Sequence, residues 1–135
     1  MKDRLTDTVQ AHKALAHPAR MRILAMLRGG ELCVCQLTAV LELAPSTVSA
    51  HLADLRRVGL ITERKEGRWV HYELAEAAEA GRCLELLWTQ LEGDERVSND
   101  NTIVKKLRKI PVDELCSMNT QAVKRAVSAD AARRT

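Results

Sequence analysis

Apolar residues recur every three or four positions through the first half of the chain, a spacing that predicts a series of short helices. Pro18 and Pro45 suit the first turn of a helix, and Gly59 stands where a helix should stop. Residues 42–45 form a tight connection between two of the helices. The four predicted helices cover residues 5–16, 18–28, 34–41 and 45–58.

The pattern changes after Gly59. Residues 61–65 and 68–74 have strand character on either side of Gly67, which supplies the positive φ of a tight turn. A fifth helix is predicted over residues 77–92, with an apolar face broad enough to indicate a partner helix. A short basic helix follows at residues 101–110.

Composition narrows the fold class. The chain has 135 residues, 46% of them hydrophobic, enough for one domain with a modest core. Aromatic residues make up 2% and Phe is absent, so the core must be aliphatic, which favours helix-on-helix packing. We predict a mainly α fold with a small β-hairpin.

Charge and hydropathy bear on location and partners. The net charge of +3 permits nucleic-acid binding without demonstrating it. No run approaches the roughly 18 apolar residues that span a bilayer. The first residues lack the apolar core of a signal peptide. We therefore expect a cytoplasmic protein, with no membrane partner.

Short helices, a tight turn, another helix and a basic hairpin occur in the order of a winged helix-turn-helix. The predicted recognition helix begins with hydroxyl side chains, Ser46, Thr47 and Ser49, which can reach base edges in the major groove. The phosphate contacts predicted on this helix are His51, Arg56 and Arg57.

The predicted wing carries further candidate DNA contacts, which are Arg64, Lys65, Arg68 and His71. A different interpretation treats the hydroxyls as a helix cap and the hairpin charges as a solvated edge. The order of all these features favours DNA binding. Residues 1–110 are then the winged helix-turn-helix DNA-binding and dimerisation domain. Residues 111–135 are a C-terminal tail, expected to be mobile, that carries Cys116.

Two thiols, Cys33 and Cys35, stand directly before the DNA-reading part of the predicted helix-turn-helix. In a reducing compartment such cysteines suit metal ligands or buried thiols better than disulfides. Side chains two apart on a regular helix point about 200° apart. We therefore expect ion binding at this pair to distort the start of the third helix and shift the DNA-reading surface.

The chain resembles the arsenical-resistance repressors of the ArsR/SmtB family over about residues 8–92. The resemblance implies a homodimer joined by the first and fifth helices, which represses an operon and leaves the DNA when an ion binds. It also implies that Cys33 and Cys35 form a metal-sensing motif. The matching stretches are residues 15–24, 31–37 (Glu-Leu-Cys-Val-Cys-Gln-Leu), 46–52 and 67–72.

The arsenic sensors of this family have a third cysteine where this chain has Thr38, and trivalent arsenic or antimony prefers three thiolates. Cys116 is the first candidate for the missing ligand and Cys83 the second, although Cys83 also suits a buried apolar position. A methylated trivalent arsenical needs only Cys33 and Cys35. The expected inducer is As(III) or Sb(III), with no cofactor required.

Three other interpretations remain open. A cadmium or lead sensor would use the same pair, although residues 1–32 lack the N-terminal cysteines of such sensors. A redox switch would oxidise Cys33 and Cys35 to a disulfide. An enzyme with Cys33 as nucleophile lacks a supporting His/Asp arrangement or phosphate loop, so we expect no enzyme. Residues 77–92 hold no His or Asp for a zinc site.

Overall fold

A computed structural model describes residues 3–133 of the protein. This part of the chain contains eight helices and three short strands. Their bounds are α1 Arg4–Leu15, α2 Pro18–Leu27, β1 Leu32–Cys33, α3 Val34–Leu41, α4 Pro45–Arg57, β2 Ile61–Glu66, β3 Trp69–Leu74, α5 Ala78–Leu91, α6 Glu95–Leu107, α7 Val112–Ser117 and α8 Thr120–Arg133. No helix within the described residues is long and apolar enough to cross a membrane.

The first five helices and the hairpin confirm the pattern expected from the sequence, with bounds shifted by one or two residues at most. Local chemistry explains the agreement. Pro18 and Pro45 each begin a helix, and the imidazole of His17 caps α2 by accepting the Ala19 N–H at 3.1 Å. Gly67 turns the hairpin with φ at 58°.

The core lies where α2, α3 and α4 meet. Ile23 and Leu24 of α2, Leu37 of α3, and Leu52 and Leu55 of α4 are all fully buried within it. Burying one such side chain stabilises the fold by about 1.5–3 kcal/mol. The inward face of α4 therefore packs into the core, and the opposite face of the helix is exposed to solvent.

The sheet has three strands where the sequence predicted two. Strand β1 pairs antiparallel with β3, in the order β1-β3-β2, and places Leu32 opposite Tyr72 and Cys33 opposite His71. Two residues are too few for strand periodicity to show. Their pairing with a distant segment of the chain, rather than any local pattern, makes them a strand.

Helix α6 begins six residues before the predicted helix at 101–110. The Asp94 carboxylate caps it by accepting the Val97 N–H at 3.0 Å. The apolar period was hidden because Asp100, an acidic residue, occupies a core-facing position and is almost fully buried. The prediction of a short helix from residue 101 was therefore wrong at its start.

Residues 112–133 form α7 and α8, whereas the sequence predicted a tail with little pattern. Helix α7 has six residues, too few to show a 3.6-residue period, and only Leu115 anchors it in the core. Val123 anchors α8. The mobility of this segment, and the division into a domain and a tail, stay predictions.

Candidate metal centre and DNA-reading surface

Cys33 occupies a junction between the sheet and the helix-turn-helix. It is the last residue of β1 and the N-cap of α3, with extended backbone dihedrals, and it is 2% exposed. The side chain of Gln36 reaches back so that its Oε1 accepts the Cys33 N–H at 2.9 Å. This is the glutamine half of a capping box, with cysteine in place of the usual serine or threonine, and it holds Cys33 in place.

The structure brings together the three predicted metal ligands. The sulfur atoms of Cys33, Cys35 and Cys116 all lie within 4.8 Å of one another. Cys35 lies in the first turn of α3, and α7 packs on α3 and brings Cys116 to it. Because Cys33 lies outside the regular helix, the pair can share an ion without the distortion of α3 that its spacing predicted.

Cys35 and Cys116 are joined by a disulfide with a Cα–Cα distance of 5.3 Å. The disulfide predicted for the redox alternative, between Cys33 and Cys35, is not the one present, and Cys33 is a free thiol. The same three sulfurs can therefore exist as a disulfide plus one thiol or, when reduced, as three potential ligands.

Cys83 and Thr38 do not supply a further sulfur to this cluster. Cys83, half-buried on α5, does not belong to the sulfur cluster, and burial raises the pKa of its thiol. The Thr38 hydroxyl donates to the Cys35 carbonyl at 3.0 Å. Of the sequence-based candidates for the third ligand, the structure places only Cys116 beside the pair.

The outer face of α4 presents the hydroxyls predicted to read DNA. Ser46, Thr47 and Ser49 are exposed, whereas Val48 between them is fully buried. The N-cap residue is Ala44, and no side chain caps the helix. The interpretation of these hydroxyls as a cap is therefore wrong.

Three of the predicted DNA-binding arginines, Arg56, Arg57 and Arg64, pair with carboxylates, and the partner of Arg57 is Asp54. Arg56 meets Glu63 at 2.5 Å, and Arg64 meets Glu31 at 2.5 Å and Glu66 at 2.7 Å. These hydrogen bonds raise the pKa of Arg64 and lower the pKa of Glu31 and Glu66. All the pairs are partly or fully exposed, so they are weak and open to competition from phosphate.

The remaining wing residues differ in exposure. Lys65 and Arg68 are exposed, and the Arg68 guanidinium lies 4.8 Å from the centre of the Trp69 ring. His71 is mostly covered, with its Nδ1 4.0 Å from Glu31. The tip of the wing therefore offers two accessible cations, while His71 faces a carboxylate.

His51, predicted to touch phosphate, is directed toward α2. Its Nδ1 accepts a hydrogen bond from Arg20 Nε at 3.1 Å, and its ring lies 4.4 Å from that of His17. Burial, followed by the charges of His17 and Arg20, lowers its pKa. A pKa below the ordinary value of about 6.5 favours the neutral imidazole, the form without a positive charge for a phosphate.

The sequence did not reveal the contacts that fasten α4 to α2. Arg20 Nη2 lies 2.7 Å from Asp54, which also pairs with Arg57 at 2.8 Å. The Asp54–Arg57 pair is of the kind that a three-residue spacing on a helix allows. Arg20 gave no local signal, because its partners lie more than thirty residues away.

A helix-turn-helix with an exposed hydroxyl-bearing helix and a three-stranded wing defines a DNA-binding regulator of the winged-helix class. The family described as "Bacterial regulatory protein, arsR family" matches residues 17–63. The arsenical resistance operon repressor of Escherichia coli is 46% identical over 68 residues, which is 50% of this chain and 58% of that protein. This chain thus spans little more than half the length of that relative.

Two solved structures are similar over more of the chain. HlyU from Vibrio cholerae, named a transcriptional activator, is 41% identical, with a TM-score of 0.59, over 67% of this chain and 97% of that one. The homodimeric winged helix-turn-helix domain Mb0332 from Mycobacterium bovis is 28% identical, with a TM-score of 0.59, over 70% and 91% respectively. The chain belongs to the arsR family of bacterial regulators, which are transcriptional regulators and not enzymes.

Proposed function

We propose that the protein is a homodimeric repressor that leaves its operator when trivalent arsenic or antimony binds Cys33, Cys35 and Cys116. The observation that carries this proposal is the convergence of three sulfur atoms, within 4.8 Å of one another, from β1, α3 and α7. Three thiolates suit a soft trivalent ion. The name of the Escherichia coli relative supports the same inducer.

Charge balance favours a trivalent ion over a divalent one. Arsenite binds as As(OH)₃ + 3 RSH → As(SR)₃ + 3 H₂O, and the product is neutral. Cadmium or lead with three thiolates would leave one net negative charge beside Cys33, which is 2% exposed. Burying an unpaired charge is costly. The cluster should therefore prefer arsenic or antimony to cadmium or lead.

The position of the cluster offers a route to the DNA-reading surface. Cys33 lies on the edge strand of the winged sheet, and Cys35 lies on α3, which packs on α4. An ion bound by all three sulfurs would link β1 to α3 and α7, and so connect the edge of the winged sheet with the helix that packs on α4. The coupling needed is typically about 1–3 kcal/mol.

The dimer is proposed to use α1 and α5. Leu5 and Val9 on α1 and Leu86 on α5 are large apolar side chains that remain exposed, Leu86 by 59%. Exposed apolar groups on two helices suit burial against a second copy of the chain.

Replacing Leu86 with glutamate should convert the dimer to a monomer, because a charge would enter an apolar interface. Sedimentation velocity of the reduced protein measures the change. Leu43→Glu is the matched control, since Leu43 is an exposed leucine in the turn between α3 and α4. A Leu86→Glu protein that sediments as the wild type does would place the interface elsewhere.

Removing a positively charged side chain from the wing should weaken binding to different DNA sequences by a similar factor. We expect Lys65→Ala to reduce the slope of log affinity against log salt by about 1, as the loss of one phosphate contact does. Lys105→Ala is the control, because Lys105 is exposed on α6, outside the helix and wing. Equal slopes for the two variants would contradict a phosphate contact at Lys65.

Fluorescence anisotropy tests the proposed function directly. The reduced protein is bound to a labelled duplex that it has selected from a random pool, and arsenite, antimonite, cadmium, lead and zinc are titrated in. The phosphine TCEP replaces dithiol reductants, which would themselves chelate arsenite. Release by arsenite or antimonite supports the proposal. Release of the DNA by cadmium or lead alone would identify a sensor of divalent ions. DNA binding that none of the ions weakens would contradict a metal switch.

A redox-responsive regulator is the second candidate, favoured by the disulfide between Cys35 and Cys116. Peroxide could form it by 2 RSH + H₂O₂ → RSSR + 2 H₂O. The same anisotropy assay, with peroxide in place of the ions, tests this function. Release that TCEP reverses would support it, and unchanged binding by a fully oxidised protein would contradict it.

A further inference from the structure

A buried ion pair joins α6 to α2. The guanidinium of Arg22 donates two hydrogen bonds to the carboxylate of Asp100, from Nε to Oδ2 at 2.8 Å and from Nη2 to Oδ1 at 2.9 Å. The side chain of Asp100 is only 3% exposed. It is the one buried acidic residue among the described residues, and its partner lies 78 positions away along the chain.

The ion pair stands at the start of the segment that ends at Cys116. Val104 and Leu107 follow Asp100 on the buried face of α6. Arg108 then donates through Nη2 to the Gly30 carbonyl at 3.1 Å. Beyond Pro111, Leu115 is buried and Cys116 meets Cys35. The segment from Asp100 to Cys116 is therefore fastened to α2, the following loop and α3 in turn.

A paired arginine and carboxylate fix an orientation more sharply than apolar contacts do, because both hydrogen bonds must align. Such a pair seldom stabilises a fold more than well-packed apolar residues of equal volume would. We therefore expect the pair to fix the orientation of α6 on α2 rather than to stabilise the fold. Sliding or rotating α6 on α2 would break the pair and would shift the start of the segment that leads to Cys116.

We propose that Arg22 and Asp100 are positioning residues that hold Cys116 at the metal centre and so give the protein its preference for ligands that need three thiols. The proposal rests on the proposed function, since it assumes that Cys116 is a ligand. A docked α7 keeps the third thiol at high effective concentration beside the other two. Residues that orient metal ligands typically change metal affinity by about 10–100-fold when replaced.

Two arsenicals that need different numbers of thiols distinguish the contribution of Cys116 from that of Cys33 and Cys35. Arsenite takes three thiols. Phenylarsine oxide takes two, by PhAsO + 2 RSH → PhAs(SR)₂ + H₂O. In reduced Asp100→Asn we expect the dissociation constant for arsenite to rise by about 10–100-fold. The constant for phenylarsine oxide should stay within about twofold, because Cys33 and Cys35 lie on β1 and α3, outside the displaced segment.

Asp113→Asn is the matched control. Asp113 is exposed on α7 and lies much nearer to Cys116 in sequence than Asp100 does, and the substitution is the same. We expect it to bind both arsenicals as the wild type does. Arg22→Gln, which removes the other half of the pair, should repeat the effect of Asp100→Asn. Circular dichroism of each variant shows whether the helices remain folded.

A double-mutant cycle distinguishes positioning from general destabilisation. If Asp100 acts through Cys116, Asp100→Asn should not weaken arsenite binding further in a Cys116→Ser protein. An equal loss in both backgrounds, or a parallel loss for the two arsenicals, would overturn the proposal. So would an unchanged arsenite affinity in Asp100→Asn.

The same cycle separates this inference from the proposed function. If Cys116→Ser alone leaves arsenite binding unchanged, Cys116 is not a ligand, and both proposals fail on that point. If Cys116→Ser weakens binding but Asp100→Asn does not, the third ligand stands and only the positioning role is lost.

Discussion

Cys33→Ser is expected to abolish arsenite-induced release of DNA while leaving the peroxide chemistry of the protein intact. Cys33 supplies one of three thiolates to the proposed metal centre, so its loss should weaken arsenite binding by more than about 100-fold, beyond the change caused by residues that only orient ligands. The disulfide joins Cys35 and Cys116 and does not use Cys33. Anisotropy of the DNA complex with arsenite, and thiol counting after peroxide, measure the two outcomes.

Cys83→Ser is the matched control, because it makes the same change at a thiol outside the cluster. It should leave both responses unchanged. An arsenite response that persists in Cys33→Ser would contradict the proposed ligand set. Loss of the peroxide-formed disulfide in Cys33→Ser would show that Cys33 also takes part in the redox chemistry.

Leu52→Ala is expected to lower the free energy of unfolding by about 2–5 kcal/mol, the usual cost of removing a large side chain from a packed core. Leu52 is fully buried on the inward face of α4. The cavity would lie beneath the DNA-reading helix, so DNA affinity should fall as well. Urea unfolding at one fixed protein concentration measures the change, because the stability of the proposed dimer would depend on concentration.

Leu43→Ala makes the same change at a leucine that is 37% exposed. Its cost should be well below that of Leu52→Ala, since the removed atoms leave no enclosed cavity. Similar losses at the two positions would mean that α4 is not held by its buried face.

Local sequence patterns were sufficient to predict the helices and the hairpin of the winged helix-turn-helix. Helices α3 and α4 follow from apolar periods, from Pro45 and from a short connection, all within one stretch of sequence. The hairpin follows from Gly67 and its flanking strand residues. Such features depend on residues a few positions apart, so the bounds could be predicted to within one or two residues.

The parts that sequence reasoning missed depend on distant partners. Strand β1 exists only because it pairs with β3, and Asp100 can be buried only because Arg22 meets it. An acidic residue at a core position breaks the apolar pattern, so the start of α6 went unrecognised. The contacts of His51 with Arg20 and His17 could not be seen in its own helix either, because both partners lie more than thirty residues away.

The proposed metal centre was likewise only partly predictable from the sequence. The sequence by itself predicted the DNA-reading element and the paired thiols of Cys33 and Cys35, and it left open whether a third ligand replaces the cysteine that Thr38 lacks. Only the tertiary structure decided that Cys33 caps α3 from outside the helix and that α7 brings Cys116 within reach of both. Helical periods and caps arise between neighbours along the chain, whereas the meeting of three thiols arises from packing between segments that lie 81 positions apart.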